Sequence, residues 1–403
     1  MSLSDHAIWW HVYPLGACGA PVHEGGGAAS GGEGSSEHRL ARLEPWLDYV
    51  VELGCSGLLL GPVFASASHG YDTLNHYAID PRLGDDDDFD RLVAAARGRG
   101  LAIVLDGVFN HVGLRHELVT SGSGAVRRHG DGVATWEGHA GLAELDHQDP
   151  AVLDLVVDVM LQWLRRGIAG WRLDVAYAVP AAFWRAAIAR VRAEFPDALF
   201  VGEVIHGDYA AIAAEASLDS VTAYELWKGI WSSLADRNFW ELAWALERHD
   251  AFSRDHVLQT FVGNHDVTRI ASQVGGAGAA LAAAFLLTLP GMPSIYYGDE
   301  QGFRGEKGTG LYADDPLRPE LPATPADLAP FGRDLFRWHQ QLIGFRRRHP
   351  WLARSRVEVV AKDCTWITYA CTGDGRRVQV DVALDPTPRV TIAADDGERL
   401  VWG

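Results

Sequence analysis

Cysteine is scarce in this 403-residue chain, with only Cys18, Cys55, Cys364 and Cys371. No CxxC pair occurs and no histidines gather around them, so scattered reduced thiols are expected; a Cys364–Cys371 hairpin bridge is the alternative. Positive charge is short as well. Lys and Arg number 35 against 53 Asp and Glu, giving a net charge of −18. That balance argues against nucleic acid and against an anionic membrane surface as partners. The N-terminal MSLSDHAIWW lacks a basic segment followed by an apolar run, so no signal peptide and a cytoplasmic setting are expected. No apolar stretch reaches the roughly 18 residues of a membrane span. The longest, LAAAFLLTL (281–289), reads as a buried helix. HxH and HExxH spacings are missing, and no internal repeat stands out.

What is present is a regular alternation of apolar segments. Hydrophobic residues make up 48% of the chain, enough for a sizeable core. AIWWHVYP (7–14), GLLLGPVF (57–64), LAIVLDGVF (101–109), GWRLDV (170–175), LFVGEV (199–204), SVTAYE (220–225), LQTFVG (258–263) and SIYYG (294–298) read as strands. Segments 39–54, 85–100, 150–167 and 181–195 carry helical spacing between them, and 331–350 closes the series. Strands alternating with helices in this way predict an α/β fold, a (β/α)8 TIM barrel over 1–350. A short excursion, 111–147, follows the third strand. Residues 351–403, with runs such as TWITYA and RVQVDVAL, predict a small C-terminal antiparallel β domain. The Gly/Ser stretch 16–37 follows the first strand and reads as a flexible loop, with a lid as the alternative. The DDDD run (85–88) opens a helix, so capping and the helix dipole explain it better than a calcium site.

Four strand ends carry an acid: Asp106, Asp174, Glu203 and Asp266. In a parallel barrel the C-terminal strand ends meet in one cleft. Several carboxyls in one cleft suit glycoside hydrolysis, where one acid attacks carbon and another moves a proton. Arg172 and Asp174 stand two apart on a strand and therefore point to one face. A guanidinium there would keep the carboxylate ionised and aimed, as a nucleophile requires; a structural ion pair is the plainer alternative. Glu203 sits among apolar neighbours, where burial and nearby acids favour the protonated form of a general acid; a capped loop acid is the alternative. Asp266, beside Asn264 and His265, can favour an oxocarbenium-like transition state or simply form a turn. Asp106 can orient Arg172, and His111 can bind a sugar hydroxyl. A metal site built from Asp106, His111, His265 and Asp266 competes with this assignment. His69, Gly70, Tyr71 and Asp72 follow the second strand, with Tyr71 offering a ring to a sugar face or making an ordinary turn.

Together these stretches resemble the α-amylase family of glycoside hydrolases in residue type, order and spacing. HGYDTLNHYAIDPRLG (69–84) and GMPSIYYGDEQGF (291–303) extend the resemblance over about 5–350. The resemblance implies Asp174 as nucleophile, Glu203 as acid/base and Asp266 as transition-state stabiliser. It implies that Arg172 orients Asp174, that His111 and His265 bind hydroxyls of the scissile sugar, and that Tyr71 stacks on it. His69, Asp106 and His206 complete the expected substrate-binding set. The implied mechanism is double displacement with retention.

The nearest resemblance is to the cyclomaltodextrinase, neopullulanase and maltogenic amylase group, through GWRLDVA, the EFP helix end and YYGDE. The first strand begins near residue 7, so that group's N-terminal β domain is not expected ahead of it. Tyr177-Ala178 stand where the group has Asn-Glu, and Ile205 stands where it has Trp before His206. Those positions lie towards the leaving group, so acceptor choice and the balance of hydrolysis to transfer are expected to differ. Many relatives bind calcium through the residue matching Asn110 and a larger excursion; here the excursion is short and lacks an Asp cluster, so no metal or other cofactor is expected. The leading expectation is a retaining α-glycosidase acting on short linear or cyclic α-glucans, with a small oligosaccharide as its partner. An α-glucan transglycosylase or isomerase is the alternative, and a non-catalytic glucan-binding barrel the remaining one.

Overall fold

The computed structural model describes residues 3–23, 38–130, 132–310 and 312–403. Its centre is a ring of parallel strands: β1 (Trp9–Val12), β2 (Gly57–Leu60), β3 (Ala102–Gly107), β4 (Gly170–Leu173), β5 (Leu199–Gly202), β6 (Ser220–Val221), β7 (Gln259–Phe261) and β8 (Met292–Tyr296). They pair in the order β6-β5-β4-β3-β2-β1-β8-β7. A single parallel bridge, Thr222 to Gln259, joins the two ends, so the sheet closes on itself as a TIM barrel.

Side chains alternate across a strand, and that alternation builds both the core and the site. Trp9, Leu59, Val104, Leu199, Val201 and Met292 point inward and form a small apolar plug. Trp10, Leu105, Trp171, Leu173 and Phe200 point outward into the larger core beneath the helices. Two residues beyond Trp9, Val104 and Val201 stand His11, Asp106 and Glu203, and all three are buried. The apolar plug therefore gives way to a polar layer at the C-terminal strand ends.

The helices include α1 (Glu44–Leu53), α2 (Asp86–Gly98), α3 (Pro150–Arg165), α4 (Ala181–Arg192), α5 (Tyr209–Ala216), α6 (Tyr224–Ala235), α7 (Phe239–Phe252), α8 (Ile270–Thr288) and α9 (Arg333–Arg348). The expected stop at Gly54 is a left-handed C-cap with φ 96°, where a Cβ would lie 2.8 Å from Ile343. The DDDD run caps α2 through a reciprocal pair of hydrogen bonds between Asp85 and Asp88. His38, Asp85 and Asp88 bring three ligand atoms within 4.8 Å of one another, but Asp88 is also paired with Arg91. The buried helix expected at 281–289 belongs to the longer α8, which is apolar enough by length and composition to cross a membrane. Its residues 279–288 are packed inside the protein.

Other segments depart from the sequence expectation. The sixth strand, expected over 220–225, stops at Val221, because the Ala223 N–H turns to the Gln259 carbonyl at 2.9 Å and Tyr224 opens α6. The excursion after β3 contains two short ladders, His111–Gly113 with Leu142–Glu144 and Arg128–His129 with Gly132–Val133. Of the Gly/Ser stretch 16–37, residues 24–37 lie outside the described residues. All four cysteines are free, so the Cys364–Cys371 bridge is not formed.

The C-terminal antiparallel sheet comprises β9 (Arg356–Lys362), β10 (Trp366–Gly373), β11 (Arg376–Ala383), β12 (Arg389–Ala394) and β13 (Arg399–Trp402). Its inner residues Ile367, Tyr369, Val378 and Val380 continue the main core. Tyr369 bonds Thr288 of α8 at 2.6 Å, which ties the sheet to the barrel.

Candidate active site

Strand register brings the first cluster together. Arg172 of β4 stands opposite Asp106 of β3 and Val201 of β5. Its Nη1 reaches both Asp106 oxygens at 2.7 Å and Asp174 Oδ1 at 3.3 Å, while Nη2 reaches Glu203 Oε1 at 2.6 Å. One buried guanidinium thus serves three buried carboxyls. Its shorter contacts go to Asp106 and Glu203, so Arg172 organises the whole group rather than Asp174 alone. Burial, and then the charge of Glu203, push Asp174 well above the usual carboxylate range despite Arg172. Burial also raises Asp106, against the pull of Arg172.

The surroundings of Glu203 are more polar than its flanking sequence implied. Besides Arg172, it accepts the Val175 N–H at 3.1 Å and the Tyr224 hydroxyl at 3.1 Å. Val175 makes its bond from a left-handed backbone, φ 49° and ψ 39°, which a β-branched residue rarely adopts. That strain turns the chain directly after Asp174 and aims an N–H at Glu203, the kind of cost found where function fixes geometry.

The opposite lip carries Asp266, whose side chain is 34% exposed and so open to a ligand. Its Oδ1 pairs with Arg318 at 2.9 Å and its Oδ2 with His265 Nε2 at 3.0 Å. Burial works against its charge, yet His265, Arg318 and Arg172 together outweigh that and hold Asp266 well below the usual carboxylate range. His265 lies nearly parallel to two tyrosine rings, Tyr13 with centroid at 6.0 Å and Tyr71 at 5.4 Å. The Tyr71 hydroxyl also touches His265 Nε2 and donates to Asp106 at 3.1 Å, joining the two clusters.

Of the other expected residues, His111 lies buried after β3, its pKa pushed down to about 4 by burial, so it is neutral at ordinary pH. His69 accepts the Tyr71 N–H at Nδ1, and its carbonyl accepts the Tyr13 hydroxyl at 2.7 Å; both bonds steady the two rings. His206 is exposed on the rim, 6.0 Å from the Tyr177 ring, outside the buried cluster. Asp106, His111, His265 and Asp266 do not gather as metal ligands: Asp106 is committed to Arg172 and Tyr71, and Asp266 to Arg318.

Several members of the site were not read from the sequence. Tyr224 was hidden inside an expected strand, and it also accepts the Asn264 amide at 2.8 Å. Arg318 comes from the loop after β8, donates to the His265 carbonyl at 3.0 Å and lies over the Tyr13 ring at 4.5 Å. His11, Leu59, Arg172, Tyr224, Phe261 and Asn264 are among the residues that line a small cavity with mixed polar and apolar walls.

Known proteins resemble this chain along most of its length. The profile "Alpha amylase, catalytic domain" matches residues 40–126 and 135–359. Neopullulanase 2 of Thermoactinomyces vulgaris is 34% identical over 77% of this chain and 56% of its own length. The intracellular maltogenic amylase of Bacillus subtilis is 28% identical over 75% of this chain and 54% of its own. The chain therefore spans a little over half the length of these relatives. Among solved structures, the ligand-free cyclic α-maltosyl-(1→6)-maltose hydrolase from Arthrobacter globiformis superposes with a TM-score of 0.81 at 25% identity, covering 100% of this chain and 99% of that one.

Proposed function

The chain belongs to the α-amylase family of glycoside hydrolases, and on that footing we propose that it is a retaining α-glycosidase that hydrolyses α-glucosidic bonds of short linear or cyclic α-glucans by double displacement. One observation carries the reading: Asp174 and Glu203 share Arg172, while Asp266, near enough for its charge to act on Asp174, holds its own cation, Arg318.

In the first half-reaction Glu203 gives its proton to the glycosidic oxygen as the C1–O bond breaks and an Asp174 oxygen bonds to C1. In the second, Glu203 takes a proton from water, whose oxygen bonds to C1 as the Asp174 ester breaks. Burial and the charge of Glu203 favour a proton on Asp174 in the free protein; in the proposed reaction Asp174 gives it up on substrate binding and attacks as the carboxylate. Asp266, kept ionised by its neighbours, faces the positive charge that develops on the sugar ring.

The names of the relatives support maltooligosaccharides and cyclic dextrins as substrates. A cytoplasmic setting is part of the proposal, supported by the four free cysteines and by the name of the Bacillus relative. The proposed mechanism calls on no metal or other cofactor, since Glu203 moves the proton and Asp174 forms the covalent bond. The exposed Ile205 and half-buried Tyr177 beside the acids favour a second reading, transfer of the glycosyl group to an acceptor sugar.

Product profiling tests both readings. Maltotriose, maltoheptaose, pullulan and cyclodextrins are incubated with the protein and with Asp174→Asn. Smaller sugars released in the α-configuration are expected from the parent alone. Longer or relinked sugars establish the transferase, and turnover retained by Asp174→Asn overturns the assignment of the nucleophile. A folded protein silent on the whole panel leaves either another α-glycoside as substrate or the glucan-binding barrel.

A further inference from the structure

One buried ion pair takes no part in the proposed chemistry. Arg269, the last residue before α8, and Asp299, three residues past β8, are both buried. Arg269 Nη1 reaches Asp299 Oδ1 at 2.9 Å. The pair closes the base of a loop. Residues 263–269 carry Asn264, His265 and Asp266, and Arg269 is the far end of that segment. At its near end, Asp299 Oδ2 lies against Gly263, where a Cβ would stand only 2.1 Å away. Asp299 therefore meets both ends of the loop that bears Asp266.

The same guanidinium also reaches the loop that carries Arg318. Its Nη2 donates to the Leu317 carbonyl at 2.8 Å and its Nη1 to the Tyr297 carbonyl at 2.9 Å. The Tyr296 hydroxyl donates to that Leu317 carbonyl at 3.0 Å, and the Tyr297 hydroxyl to the Pro319 carbonyl at 2.7 Å. Arg269 lies over both tyrosine rings, 4.5 and 5.1 Å from their centroids. The backbone on either side of Arg318 is thus pinned. Arg318 in turn holds Asp266 Oδ1 and the His265 carbonyl. Stability alone explains this wiring poorly. Arg269 Nε and Asp299 Oδ2 are buried without a hydrogen-bond partner among the described residues. Leaving such atoms open is costly, and a buried ion pair is weak support for a fold. What the pair does secure is the relative placement of two loops whose side chains must meet. A shift of about 1 Å at a reacting group can cost roughly 10²-fold in rate.

We propose that Arg269 and Asp299 are positioning residues that hold Asp266 and its cation Arg318 in register. Neither touches the sugar. This rests on the α-glycosidase reading and deepens it, by naming what fixes the third acid from behind.

The test reads kcat and KM on maltotriose, with thermal unfolding measured alongside. Arg269→Lys keeps a charge for Asp299, but one ammonium cannot reproduce the planar fork that also serves two carbonyls. It is expected to lower kcat about tenfold or more, with KM within about twofold of the parent. Asp299→Asn, which keeps the shape beside Gly263, should act in the same direction; should one variant fail to fold, the other carries the test. A cycle with Arg318→Ala separates positioning from general damage. If Arg269 acts through Arg318, adding Arg269→Lys to Arg318→Ala should cost less than about threefold more in kcat. Losses that multiply in full mean that the pair acts elsewhere, and the proposal fails. A raised KM at parental kcat, or parental kinetics in the variants, overturns it as well. So does failure of both variants to fold, which makes the pair structural. A folded parent silent on the glucan panel overturns the proposed substrate class and this inference together; an active parent with a multiplicative cycle removes the positioning alone.

Discussion

Two arginines are buried to nearly the same degree, Arg172 with 3% exposure and Arg346 with 5%, yet their surroundings differ in kind. Arg346 on α9 donates to the carbonyls of Leu287, Leu289 and Gly291 at 3.1, 2.8 and 2.5 Å. It closes the end of α8, where helix carbonyls lack partners of their own. Burial pulls its pKa down to about 10. Arg172 meets carboxyls instead. Burial opposes its charge, but Asp106, Glu203, Tyr71 and Asp174 outweigh burial and raise its pKa well above the ordinary value. One guanidinium completes a set of acceptors; the other is outnumbered by acids. The first arrangement is finished without a ligand. The second leaves negative charge that a proton or a developing cation can relieve, and that imbalance is what makes it reactive.

The largest effects should separate the two regions cleanly. Asp174→Asn is expected to cut kcat on the order of 10⁴-fold while the unfolding temperature holds or rises. Arg346→Leu should do the reverse, losing about 3 kcal/mol of stability through its abandoned carbonyls, with kcat of the folded fraction kept. Parallel denaturation and initial-rate measurements on both variants decide this. Equal damage to rate and stability in both would erase the contrast.

A middle-sized effect belongs to Arg318, which holds Asp266 from a distant loop. Arg318→Ala should lower kcat by about 10²-fold, more than it raises KM, and steady-state kinetics on maltotriose would register it. Next comes the pH dependence of stability. Asp174 has a folded pKa above its unfolded one, so its ionisation costs stability as pH rises through the folded value, and below the ordinary carboxylate range that cost vanishes. The stability gap between Asp174→Asn and the parent should therefore widen from acid towards neutral pH. Urea titrations at several pH values measure it, and a gap that narrows contradicts the raised Asp174. The smallest effect is at Val175. Val175→Gly relieves the left-handed strain but gives up a buried side chain and loosens the unfolded chain, so it should destabilise the fold by roughly 1 kcal/mol, at some loss of rate as the N–H to Glu203 loosens.

What could be read from sequence followed from period and position. Strand alternation placed Asp106, Arg172, Asp174 and Glu203 on the inner face, and barrel closure brought Asp266 to the same mouth. Tyr224 could not be read that way, because an apolar SVTAYE extends as a strand until a closing bond at Ala223 bends it. Arg318 lies 52 residues beyond Asp266 in a loop, where no periodicity links one to the other. Val175 is the opposite of a residue suited to its backbone, so its conformation follows from the fold alone.

The ring of strands has a seam. β6 has only two residues, and the single bridge from Thr222 to Gln259 is its ladder to β7. Backbone opening is easiest where the fewest bonds must break, so the barrel's elastic weak point runs between these strands. Glu203 stands on one side of it and Asp266 on the other. Under the proposed activity, a sugar gripped by both would lace the seam shut and serve for a moment as the missing rung of the cylinder.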